Sequence, residues 1–86
     1  MTNSTDKEYV FILNSIHRVM RAERLLKNGG IKFALMPVPR QLSSDCGLSI
    51  RYIGDDYNHV KDVLVEQFSD KVLAYQKAGE GYTKIL

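Results

Sequence analysis

The sequence predicts an α+β fold of the ferredoxin-like kind. Its elements run β-α-β-β-α-β, giving a four-stranded antiparallel sheet with two helices on one face. Three observations carry this. Tyr9-Val10-Phe11-Ile12-Leu13 is a continuous apolar run, too short for a helix and rich in strand formers. Two stretches, starting at Ile16 and at Tyr57, repeat apolar residues at helical spacing. Two more, 31–36 and 48–53, alternate apolar and other residues. At 86 residues the chain is expected to form one domain, 1–86.

Residues 1–7 read as a polar N-terminal tail. The apolar run from Tyr9 to Leu13 is the expected central strand. Asn14 and Ser15 follow and offer side-chain oxygens to cap a helix. Ile16, Val19, Ala22 and Leu26 then fall on one helical face with Met20 at its edge, while Arg18, Arg21, Arg24 and Lys27 point to solvent. Glu23 falls on the packed side, as a rim residue or an arginine partner. Asn28-Gly29-Gly30 stops the helix. In the second strand Ile31, Phe33 and Leu35 share a face; in the third, Leu48, Ile50 and Tyr52 do. Gly54-Asp55-Asp56 is a turn and cap. Tyr57, Val60, Leu64 and Phe68 mark the second helix, Ser69-Asp70 closes it, and 71–76 is the fourth strand. Residues 78–86 read as a turn followed by a tail or a short added strand. Val10, Ile12, Ala34, Met36 and Ile53 are expected on the face away from the helices. That face is apolar enough to predict a covering partner, with a second copy of the chain as one candidate.

Composition narrows the function classes. Hydrophobic residues make up 44% and charged residues 26%, a globular balance. A net charge of +2 without a dense basic tract argues against nucleic acid. No apolar run is long enough to span a bilayer. The start of the chain lacks the apolar core of a signal peptide, and one cysteine cannot form an internal disulfide, so a cytoplasmic setting is expected. One cysteine and two distant histidines make no metal-ligand spacing, and the glycines match no phosphate-binding fingerprint, so no metal or cofactor is expected.

The chemistry-bearing stretch is Pro37-Val38-Pro39-Arg40-Gln41-Leu42-Ser43-Ser44-Asp45-Cys46-Gly47. Its prolines stiffen the start, Ser44 and its neighbours shape a turn, and Gly47 gives the backbone room beside the thiol. The predicted topology puts the first helix start and the third strand start at one end of the sheet. Cys46 is therefore expected near Ser15 and His17, where free N-H groups and a partial positive charge favour a thiolate. Arg40 and His17 are expected to add positive charge. This is the setting of a carrier or nucleophilic cysteine. A packed structural cysteine is the competing reading, and a redox sensor that borrows an outside thiol is a third.

Ser15-Ile16-His17, Met20, Glu23, Leu26, Gly30-Ile31, Pro37-Val38-Pro39-Arg40 and, above all, Leu42-Ser43-Ser44-Asp45-Cys46-Gly47 with Ile50-Arg51 resemble a small bacterial selenium/sulfur carrier-like domain family. The resemblance covers Phe11 to Tyr52. Ile16 and Val19 stand where that family tends to place a threonine-like and a small residue. The resemblance implies that Cys46 carries sulfur or selenium as a persulfide or perselenide, with protein donors and acceptors, a sulfurtransferase-like partner among them. It implies a carrier or accessory protein rather than a stand-alone enzyme. The alternative is a non-catalytic interaction or ligand-binding module that dimerises through its sheet.

Overall fold

The structure is a computed structural model that describes residues 7–42 and 47–86. The chain runs β1 (Lys7–Ile12), α1 (Ile16–Asn28), β2 (Ala34–Pro37), β3 (Leu48–Gly54), α2 (Tyr57–Phe68), β4 (Leu73–Ala78) and β5 (Gly81–Lys84). A 3-10 turn at Ser69–Lys71 links α2 to β4. The sheet order is β2-β3-β1-β4-β5, and every neighbouring pair is antiparallel.

The class is α+β, and the elements up to β4 come in the predicted order. The sheet has five strands, however, so the four-stranded layout is corrected. The fifth strand comes from residues 78–86, where the sequence predicts a turn and then a tail or a short added strand. Gly79, at φ +61, opens a two-residue turn that folds Gly81 back onto Ala78 and Tyr82 onto Lys77. Beyond β5, the Ile85 N-H donates to the Ala74 carbonyl at 2.9 Å.

β1 lies between β3 and β4, which is why it reads as an unbroken apolar run: both of its faces are buried. Tyr9, Phe11 and Leu13 join Ile50, Tyr52, Val72 and Ala74 under the helices. α1 adds Val19, Ala22 and Leu26; α2 adds Val60, Leu64 and Phe68. Each large side chain so buried is worth about 1.5–3 kcal/mol.

Local chemistry sets the helix ends. Ser15 caps α1, accepting from the Arg18 N-H at 3.4 Å. At the other end Gly30, at φ +74, allows Gly30 N-H to reach the Lys27 carbonyl and Ile31 N-H to reach the Leu26 carbonyl at 2.9 Å. Ile31 N-H is thus committed to the helix stop, and strand pairing starts only at Ala34. Ile31, Phe33 and Leu35 still pack against the core, as their spacing predicts. α2 starts without a side-chain cap from Asp56. The Asp56 N-H donates instead to the Tyr52 hydroxyl at 3.1 Å.

Two placements are corrected. Ile16 is 53% exposed, not core. At about 100° per residue it stands about 90° from the middle of the Val19–Ala22–Leu26 stripe. Val10 and Ile12 do lie off the helix-side cluster, yet they are 0% and 3% exposed. They need no partner to cover them. Ser49, of the same parity in β3, is also fully buried and donates to the Met36 carbonyl at 3.1 Å. Ile53 remains 48% exposed on that face.

The cover comes from within the chain. After β2 the segment Val38–Leu42 leaves one edge of the sheet, and Gln41 Nε2 donates to the Glu80 carbonyl at 2.8 Å. Glu80 lies in the β4–β5 turn, at the other edge and the other end of the sheet. The helices occupy one face, so this segment crosses the other as a strap.

Candidate functional site

Phe11 faces Ile50 in an antiparallel register. Extending that register brings the end of β1 and the start of β3 to one end of the sheet, where α1 also begins. Asn14, in a left-handed conformation at φ 58, turns the chain out of β1 into α1. Ser15 is half-buried at the cap, and His17 is exposed in the first turn. Arg18 folds back so that its Nη1 donates to the Leu13 carbonyl at 2.9 Å. That bond occupies a carbonyl at the exit of β1 and adds a cation beside the α1 N-terminus.

On the other side of this end, the Val38 N-H donates to the Gly47 carbonyl at 3.0 Å, one step beyond the last β2–β3 pair. A Cβ placed on Gly47 would lie 3.9 Å from the Val38 side chain, ordinary contact. Among the described residues, nothing crowds that position. Arg40 is exposed within a turn closed by Leu42 N-H to the Pro39 carbonyl at 3.0 Å. The adjoining Gln41–Glu80 bond carries that turn toward the β4–β5 end, away from Ser15 and His17.

Of the residues that the sequence singles out, Ser15, His17 and Gly47 share one end of the sheet, while Arg40 rides the strap. Cys46 and Ser44 lie outside the described residues, as do Ser43 and Asp45. Glu23 is half-buried at the helix rim and pairs with Lys27 at 3.5 Å, a cation one turn on rather than an arginine. His59 is exposed. Sequence reasoning missed the Gln41–Glu80 latch and the Arg18–Leu13 bond. Neither leaves a periodic trace, since each joins a side chain to a backbone carbonyl fixed by tertiary structure.

Three described residues carry shifted acidities. Burial pushes the Tyr9 phenol above its ordinary value, helped by the nearby Tyr52 and Asp55 charges. Burial does the same to Tyr57, which stacks on Tyr9 with ring centres 4.7 Å apart. A hydrogen bond to Glu8, at 2.9 Å, raises the Arg51 guanidinium. Among the described residues no group of three or more His, Cys, Asp or Glu side chains is placed to hold a metal ion. No described helix is long and apolar enough to cross a membrane.

Residues 8–75 match the family described as "Putative Se/S carrier protein-like". The chain belongs to this family. The carrier-like match takes in both helices and runs from β1 into β4, and it encloses Cys46; β5 lies beyond it. No curated protein and no solved structure matches the chain.

Proposed function

We propose that the chain carries sulfur or selenium on Cys46. The observation that carries this reading is the family match over 8–75, which spans the chain's single cysteine. Supporting it, Gly47, the residue after Cys46, immediately precedes β3 at the sheet end where α1 exposes its first N-H groups. A helix N-terminus favours an anion, so a thiolate or a persulfide anion there is stabilised.

The transfer balances without an outside oxidant. The Cys46 thiolate attacks the outer sulfur of a donor protein's persulfide. The donor's S–S bond breaks, the donor leaves as a thiolate, and Cys46 holds the new S–S bond. An acceptor nucleophile then attacks the outer atom and releases the Cys46 thiolate. A donor selenosulfide delivers selenium by the same steps. Ser15 orders the helix start by capping it, His17 adds charge when protonated, and Arg40 supplies a cation on the strap for docking or long-range steering.

The test follows the alkylation of Cys46 in the folded chain against pH, with protein mass read at each step. We expect a midpoint well below the ordinary cysteine value of about 8.5. After exposure to a persulfide donor we expect a mass gain of one sulfur atom, absent in Cys46→Ser. A midpoint at or above about 8.5 together with no added sulfur sinks the carrier reading. The sheet-dimer alternative has lost part of its motive, because Val10 and Ile12 are already buried within one chain.

A further inference from the structure

We propose that the outer face of α1 docks an acidic amphipathic helix of a partner protein. The core stripe of α1 is complete with Val19, Ala22 and Leu26. Two large apolar side chains nonetheless stand outside it, one turn apart: Ile16 at 53% exposed and Met20 at 50%. Neither serves the fold from there, and isoleucine is only a middling helix former. Arg24 continues their row by another turn, with Arg21 on one flank and the Glu23–Lys27 pair on the other. A shallow depression along this side is lined by His17, Met20, Arg21 and Arg24.

An apolar pair flanked by two arginines, with methionine between, matches the composition of a protein interface better than that of a solvated face. The sign of the rim fixes the partner. Among the described residues the ion pairs are Glu23–Lys27, Glu8–Arg51 and Lys61–Asp62, which leaves Arg21 and Arg24 without a carboxylate. Carboxylates flanking a leucine stripe complement that rim, whereas a basic partner would be repelled by Arg21 and Arg24 and would find Glu23 already engaged by Lys27. A nucleic acid would use the cations but would leave Ile16 and Met20 in water. α1 starts at the sheet end that holds Ser15 and Gly47, so an occupant of this face lies alongside the α1 start. The proposal rests on the carrier reading in assigning the occupant to the donor or the acceptor.

The experiment titrates the full chain, labelled for amide NMR, with a helical peptide whose leucines recur every third or fourth position between glutamates. Three controls run beside it: the same residues scrambled, the stripe flanked by lysines, and single-stranded DNA. We expect shifts concentrated on 16–27 with the glutamate peptide alone. Met20→Gln, which keeps helix propensity, is expected to weaken binding at least about tenfold. Arg21→Glu with Arg24→Glu is expected to abolish it, and added salt to weaken it. The proposal is overturned if the glutamate peptide does not bind, if the scrambled peptide or the DNA binds as well, or if the shifts lie off α1. No readout involves Cys46. Failure here leaves sulfur transfer standing, and a Cys46 that accepts no sulfur leaves this binding measurable.

Discussion

Gly54 and Tyr52 share one small space. A Cβ on Gly54 would lie 2.7 Å from the Tyr52 hydroxyl oxygen, which already accepts the Asp56 N-H that opens α2. Gly54→Ala should therefore cost about 1–3 kcal/mol through overpacking. Tyr52→Phe should cost about 0.5–1.5 kcal/mol for the lost hydrogen bond. The double variant should cost less than their sum, because the clash needs both partners. Urea denaturation of all four proteins reads the coupling, and strict additivity would mean that the close approach is not the cause. A second residue-scale prediction concerns alkaline pH. Burial raises the Tyr9 and Tyr57 phenols above 10.0. Above that pH the unfolded chain sheds protons that the folded chain keeps. Their contribution is thus intact below pH 10.0 and is lost as pH climbs toward the folded values. Denaturation midpoints should fall over that range, and Tyr9→Phe should flatten the fall; a flat profile in the parent chain contradicts this. Sequence alone marked Tyr52 as inward and Gly54 as a turn. It could not show that the two touch, because their contact depends on where the backbone bends after β3.

At the scale of elements, the strap makes a measurable difference. Ile12 sits on the face away from the helices, where an open sheet would leave it in water. Buried at 3% exposure, it should cost about 2–5 kcal/mol when cut to alanine. A loss below about 0.5 kcal/mol is what an exposed site gives, and would mean that nothing covers that face. The elements themselves were readable in varying degree. α2 occupies Tyr57–Phe68, the span its apolar spacing marks, since that spacing and the buried stripe coincide. α1 ends where its glycines say it should. β2 is shorter than its alternation suggests, because the helix stop takes the Ile31 N-H before pairing can begin. β4 starts late at Leu73 because Ser69–Lys71 winds one more turn first. The strap had no sequence signature: prolines announce an extended segment but not the direction in which it lies. The candidate site follows the same rule. The helix start at Ser15 was legible as a cap, whereas Arg40's departure from it depends on the bond from neighbouring Gln41 to Glu80, 39 residues along the chain from Gln41.

For the molecule as a whole, the added strand protects as well as extends the sheet. Deleting 79–86 would remove β5, the Glu80 acceptor of the Gln41 bond and the Ala74 bonds to Ile85 and Leu86. It would also leave β4 as a bare edge, which templates pairing with other chains. The truncated protein should be less stable than Gln41→Ala and should form concentration-dependent oligomers in sedimentation. Stability equal to that of Gln41→Ala, with no self-association, would show that β5 is dispensable. The sheet order also bears on how the chain is made. β1 comes first in the sequence but lies in the middle of the sheet, with Phe11 paired to Ile50 on one side and to Ala74 on the other. On the ribosome its apolar run emerges before both of its partner strands and stays unpaired on one side until β4 follows β3. Such distant pairing slows folding and lengthens the time during which Val10 to Leu13 are open to wrong partners. Yield in cells should therefore respond more to chaperone supply during synthesis than the stability of the finished fold would suggest.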